Sequence, residues 1–429
     1  MSNATTPTSA LSPVAPDARV FGLSSHLSLW FSLGVGLLVM QVGAYLVPAV
    51  GTRDALWAIV LGSVLGAGLL GWTAAVGTRT GLSSAGLMHA TYGSAFARLP
   101  VVLNIVQLLG WTTFELVVMR DGTLAIVKQA FGLEGGMPGL VLATLLWGGI
   151  LALLMTGSML TLVRRFVSRV GLPLVVLSLL WLTWHFVGVL QDKGVEAFMN
   201  RPGNGTMGML SALGLVMAMP VSWLPLVADY ARHGRSSAST LGGTWLGYTL
   251  ANAWCYGLGV LVASVSEPGT DLVTALLLAQ GGLLALGLIL LDELDNAYGD
   301  VHSAAVSSSS LRPGSLRRWG VGIALACTGL AMVLPMHSLE PFLLMLSSVF
   351  VPLYGVILGR LGLGQAARPD RTRVDRSAVL LWVLGIVVYH AVERLAPQWG
   401  AALVTLGLTF ALAALIRPAD APAAAHGRG

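Results

Sequence analysis

Residues 219–225 read Met219-Pro220-Val221-Ser222-Trp223-Leu224-Pro225 and lie inside an otherwise apolar run, 207–229. Two prolines five residues apart each remove a backbone donor and clash with the carbonyl four residues earlier. A helix surrounded by lipid tolerates such a break only where its backbone lines a cavity or packs on protein. The stretch therefore predicts a discontinuous membrane helix, with polar Ser222 at the break and Pro220 as the structural cause of it.

The rest of the chain agrees with a membrane setting. Of 429 residues, 55% are hydrophobic and 10% charged, with 53 glycines and a mean hydropathy of +0.79. Soluble chains carry about 25% charged residues, so a soluble enzyme, a disordered chain and a nucleic-acid binder are excluded. A membrane β-barrel would alternate apolar and polar residues, whereas this chain has long apolar runs. At ~20 residues per crossing, twelve spans are expected, over 28–48, 54–76, 100–127, 139–158, 168–190, 207–229, 241–264, 272–299, 317–335, 340–360, 377–393 and 399–416. Residues 1–27 and 417–429, rich in Ala, Pro and small polar residues, are expected to be disordered tails, and no cleaved signal peptide is visible. Counting loops alternately, eighteen of the 24 basic residues fall on the side of the N-terminus and six on the other. By the positive-inside rule both termini are cytoplasmic, in the inner membrane of the cell. The excess of five positive charges thus answers to lipid headgroups, with the bilayer as the partner. Cys255 and Cys327 are far apart in apolar segments and read as small core residues.

Gly62-Ser-Val-Leu-Gly66 in the second span and Gly243-Thr-Trp-Leu-Gly247 in the seventh share a GxxLG form 181 residues apart. Spans two and seven correspond in a five-plus-five inverted repeat, a common transporter plan, although small-xxx-small pairs are frequent in membrane helices generally. The repeats would cover about 28–190 and 207–360, with two extra helices over 377–416. Each would open with a broken helix. The 181-residue offset maps Gln41 of span one, which lies among Gly34, Gly36 and Gly43, onto Ser222.

Buried charge costs roughly 2.5–3.5 kcal/mol even on insertion scales, so acids inside spans point to function. Trp111 and Glu115 are one turn apart in span three and share a face. An indole offers a stacking surface and a carboxylate accepts N–H bonds, a combination suited to a flat heterocycle. The competing arrangement pairs Glu115 with Arg120. Span eight reads Leu291-Asp292-Glu293-Leu294-Asp295-Asn296-Ala297-Tyr298-Gly299-Asp300. On a helix Asp292, Asp295 and Asn296 share a face, while Glu293 points towards Ala297 and Asp300. Asp292 and Glu293 are the candidate ion-coupling residues, for H⁺ or for Na⁺ near Asp292. The competing arrangement ends the span at Leu291 and leaves the acids in a loop. Asp229 and Arg232, at the end of span six, suit a structural or gating role. No cofactor beyond a coupling ion, no resident metal and no obligate protein partner is called for.

Several segments resemble the nucleobase–cation symporter family, within the purine/cytosine permease superfamily. Pro220-Val-Ser-Trp-Leu-Pro-Leu-Val-Ala-Asp-Tyr-Ala-Arg232 is similar to the SWLP…DYxR signature of its hydroxymethylpyrimidine branch. Asn104-Ile-Val-Gln-Leu-Leu-Gly-Trp-Thr112 and Asp300-Val-His-Ser-Ala-Ala-Val-Ser307 resemble that branch's third span and the stretch after its eighth. The likeness runs over roughly 25–310. It implies a LeuT-like fold and uptake of a pyrimidine by alternating access. Trp111 would stack on the ring and Glu115 would meet its edge. Ser222 and Trp223 would line the site from helix six, and Asp295 and Asn296 from helix eight. The chain departs from the family at Asp292 and Glu293, which align with adjacent hydroxyl residues of sodium-coupled relatives, and at Glu115, where the branch is usually apolar. The competing functions are a transporter of amino acids or other small solutes on the same fold, a channel and a membrane enzyme. The enzyme is disfavoured because the eight histidines form no catalytic motif.

Overall fold

The computed structural model describes residues 10–159, 170–267, 269–334, 339–367 and 373–416. Its described residues build an all-helical, LeuT-like bundle. Nine helices among them are long and apolar enough to cross a membrane, and a bent pair makes a tenth. The bent pair is the first span, α1 (Leu23–Ser32) and α2 (Leu37–Val50), with axes 62° apart. Then follow α3 (Thr52–Thr80), a short α4 (Ser84–Tyr92), α5 (Arg98–Phe131), α6 (Gly136–Leu154), α7 (Leu172–Lys193) and a five-residue α8 (Val195–Met199). The second half opens with α9 (Met209–Ser222) and α10 (Leu224–Ala231), followed by α11 (Ser237–Val265), α12 (Leu272–Leu278), α13 (Gly282–Leu311), α14 (Leu316–Val333), α15 (Leu339–Ile357), α16 (Arg376–Leu395) and α17 (Ala401–Leu415). Acid-bearing α13 and the fifteen-residue α17 stand outside that count.

The two broken spans break differently. Span one loses helical form over Leu33–Gly36. Span six is interrupted at Trp223 alone. Pro220 sits inside α9, and the carbonyl it leaves without a helical donor, Val216 O, accepts the Tyr256 hydroxyl at 3.2 Å. Pro225 stands in the first turn of α10, where a missing N–H costs little. Asn104 of α5 holds this bend through Nδ2, which donates to Pro225 O at 2.9 Å and to Ser307 Oγ at 3.2 Å.

The repeated glycines do the same work in both halves. A side chain at Gly62 or Gly66 would run into Val216 and Pro220 of α9. One at Gly243 or Gly247 would run into Leu23, His26 and Leu27 of α1. The second helix of each repeat therefore seats the first helix of the other, with backbones in the close approach that glycine permits.

Two expectations need correction. The eighth span is not one helix over 272–299. Asp271 caps the short α12 by accepting from the Thr274 amide at 3.0 Å, Gly281 turns the chain at φ +71°, and α13 runs on to Leu311. Hydropathy averaging merges the two because both are apolar up to Leu291. The four acids thus lie mid-helix, not in a loop. Nor is the N-terminal tail disordered up to residue 27. From Ala10 the chain packs across one end of the bundle. Val14 N–H donates to Gly81 O, Arg19 Nη1 to Thr78 O, and the Val20 and Phe21 amides to His233 O, all within 2.8–3.0 Å. The Phe21 ring is fully buried between His26 and His233. Burial, helped by the nearby charge of Arg232, pushes the His233 imidazole down to about 4, so it stays neutral at physiological pH. Residues 1–9 and 417–429 lie outside the described residues.

Candidate functional site

Where span one loses its helix, polar backbone is freed in the middle of the bundle, and α13 answers it. The Leu37 amide, at the N-terminus of α2, donates to Glu293 Oε1 at 2.6 Å. Asn296 Nδ2 donates to Val35 O at 3.1 Å and to Glu293 Oε2 at 3.3 Å. Ser32 Oγ, in the last turn of α1, lies 2.8 Å from Asp292 Oδ1 and 3.3 Å from Asp295 Oδ2. All four acids of α13 are buried. Among the described residues no group of three or more His, Cys, Asp or Glu side chains is arranged to hold a metal ion.

Beside the hinge is a narrow slot. Its residues are Leu33, Val35, Gly36, Leu38 and Val39 of span one, Trp111 and Glu115 of α5, Met219, Ser222 and Trp223 of span six, and Glu293, Asn296 and Asp300 of α13. Trp111 is backed by Phe342 edge-on, ring centroids 5.2 Å apart, and Trp223 by Trp30 at 6.0 Å. Buttressed rings keep their orientation, and two indoles give the slot stacking surfaces. Glu115 is buried and free of Arg120, whose guanidinium pairs with Asp121 at 2.7 Å and donates to Ala331 O at 2.8 Å.

The slot brings together Trp111, Glu115, Ser222, Trp223, Asn296 and Glu293. The Ser222 hydroxyl spends its proton on Met219 O at 2.7 Å. Asp292 and Asp295 line a separate contact, against Ser32. The helical faces thus divide differently from the expectation: Asn296 goes with Glu293, not with Asp292 and Asp295. Gln41 is exposed and lines another cavity, of about 320 Å³, with Phe114, Asp271 and Thr274. A constant offset misplaced it because the half-helix after the break has fourteen residues in span one (Leu37–Val50) and eight in span six (Leu224–Ala231). Pro220 packs on Gly66. Asp229 and Arg232 are buried at the far end of α10, where Asp229 Oδ1 accepts the Ser84 amide at 3.0 Å. Asp300 was not among the expected site residues. The signal was present in the spacing of Glu293, Asn296 and Asp300, three and four residues apart, which is one stripe of a helix.

A sequence profile of permeases for cytosine/purines, uracil, thiamine and allantoin matches residues 13–365. Among solved structures, the chain is similar to the nucleobase–cation–symport-1 family transporter Mhp1 in a closed conformation with bromovinylhydantoin bound, at 16% identity and TM-score 0.76, covering 96% of this chain and 93% of that one. A Na⁺-coupled sialic acid symporter in a substrate-bound outward-open state shares 11% identity and TM-score 0.63, covering 94% and 91%. MhsT in complex with L-phenylalanine shares 15% and 0.58, covering 91% and 98%. No curated protein sequence matches.

Proposed function

Because the chain belongs to the family of permeases for cytosine/purines, uracil, thiamine and allantoin, and is therefore a multi-pass membrane transporter and not an enzyme, we propose that it is a symporter importing a pyrimidine or related heterocycle, of the hydroxymethylpyrimidine or cytosine type, across the cytoplasmic membrane by alternating access. One observation carries this reading: a narrow slot at the hinge of a broken helix, with the indoles of Trp111 and Trp223 among its walls and Glu115 and Asn296 among its polar groups. A flat ring stacks on an indole, and its edge nitrogens meet the carboxyl and amide.

The coupling ion is Na⁺ or H⁺, and the contact of Ser32, Asp292 and Asp295 is where it acts. Two carboxyl groups sharing one hydroxyl in a dry interior repel each other unless a cation or a proton intervenes. That contact joins α1 to α13, so its occupancy favours one relative placement of the two helices. An ion with different affinity for two placements shifts the balance between them.

The amino-acid alternative wants a free helix N-terminus to receive a substrate carboxylate. Here the Leu37 amide at the start of α2 is already taken by Glu293, which disfavours that alternative.

The test is a thermal-shift screen of the purified protein with cytosine, uracil, hydroxymethylpyrimidine, hypoxanthine, allantoin and several amino acids, with and without Na⁺ at two pH values. A ligand bound only by the folded state raises the melting temperature. Stabilisation by a heterocycle, enhanced by Na⁺ or by low pH, is expected. Stabilisation by an amino acid with every ring silent refutes the substrate reading.

A further inference from the structure

Resting on the reading that the slot holds a flat heterocycle, we propose that Glu115 and Asp300 are a pair of acceptors that selects rings with an amidine edge, an exocyclic N–H beside a ring nitrogen, over dicarbonyl rings and over anionic ones. Glu115 Oε2 and Asp300 Oδ2 are both buried and have no hydrogen-bond partner among the described residues. They reach the slot from different helices, α5 and α13. Asn296 adds a third acceptor: its Nδ2 is spent on Val35 and Glu293, and its buried Oδ1 is unpartnered. Glu293, by contrast, is satisfied at both oxygens. It occupies the α2 amide that an anionic ligand would need. The slot is thus lined by three carboxyl groups and no Lys, Arg or His. Leaving a buried acceptor unpaired is costly, the more so when it is charged, so the ligand is expected to supply the missing donors.

An amidine edge suits a carboxyl group wherever the shared proton resides. A carboxylate accepts two parallel N–H bonds from the amidinium, as it does from a guanidinium. A neutral carboxylic acid donates its O–H to the ring nitrogen and accepts the exocyclic N–H. A cyclic amide edge, N–H beside C=O, fits the acid but sets two oxygens against each other when the group is ionised. An anionic ring adds a fourth negative group to a desolvated site.

The experiment measures competition by 2,4-diaminopyrimidine, cytosine, uracil and orotate against the heterocycle identified by the stability screen, in wild type and in the Glu115→Gln and Asp300→Asn variants, each confirmed monodisperse. Wild type is expected to bind the diaminopyrimidine at least ~10-fold more tightly than uracil, with orotate silent, on the strength of charge-assisted bonds. Each variant narrows that ratio by about tenfold, since an amide serves a carbonyl edge as well as an amino edge. On wild type alone, replacing the exocyclic amines by dimethylamino groups is expected to abolish competition, which decides the matter even if a variant does not fold. Uracil competing as well as the diaminopyrimidine, or a ratio unmoved in both variants, overturns the acceptor pair and leaves the transporter reading standing. Silence of every ring overturns both.

Discussion

At the scale of the residue, the slot is defined by what its side chains have left to give. Glu293 and Asn296 Nδ2 are spent on the hinge of span one, so they shape the site, while Trp111, Glu115 and Asp300 face it with capacity unused. Trp111→Ala should weaken binding of the transported ring roughly 5- to 150-fold, the range for loss of a stacked base on an aromatic platform, with membrane expression intact. Competition in intact cells measures this, and unchanged affinity removes Trp111 from the site. Asp292→Asn and Asp295→Asn should each change the dependence of uptake on Na⁺ or on pH, with smaller effects on ring preference. If both variants keep the wild-type ion profile, the contact with Ser32 is structural. Trp111 and Glu115 were legible in the sequence because a polar pair one turn apart has few explanations inside lipid. Gln41 was misplaced and Asp300 overlooked for a common reason. Both errors turn on where a helix starts and stops: the offset ignored the unequal half-helices Leu37–Val50 and Leu224–Ala231, and the expected eighth span stopped at 299, one residue short of Asp300.

At the scale of the element, broken helices and glycine seams belong to one device. Span six bends at a proline whose orphaned carbonyl is adopted by Tyr256 of α11, and α3 receives the bend on Gly62 and Gly66. The GxxLG pair was legible as a repeat, because spacing survives in sequence. Its purpose was not, because the partner of each seam lies in the opposite half. Gly247→Leu should lower the melting temperature in detergent by about 2 °C or more, since overpacking typically costs roughly 1–3 kcal/mol. Gly149→Leu, at an exposed position with no neighbour in reach, should leave it unchanged. Equal effects would mean that the seam is not close-packed. The acidic α13 shows the limit of hydropathy. Its cluster, Asp292 to Asp300, is unacceptable to lipid, yet it sits mid-helix with each of those residues buried by protein.

At the scale of the whole molecule, arginine asymmetry gives a direct check on orientation. Both native cysteines are buried, which leaves a quiet background for labelling. A cysteine at Thr206 should react with an impermeant maleimide in intact cells, and one at Arg317 only after the membrane is opened. The reverse pattern inverts the topology and places the N-terminal segment outside. That segment also bears on how the protein is made. Residues 14–21 are tied to the ends of spans two and six, and their last partner, the Arg235 amide that donates to Phe21 O at 2.8 Å, lies more than 200 positions downstream. At roughly 5–20 residues per second, the ribosome delivers that partner about 10–40 s after the segment itself. Throughout that interval Phe21 has no burial site, and α1 has no glycine seam to rest on until α11 arrives. Residues 14–21 are therefore made well before their partners and settle late, and during synthesis they form a waiting, apolar segment that a chaperone or a protease can meet before the bundle closes over it.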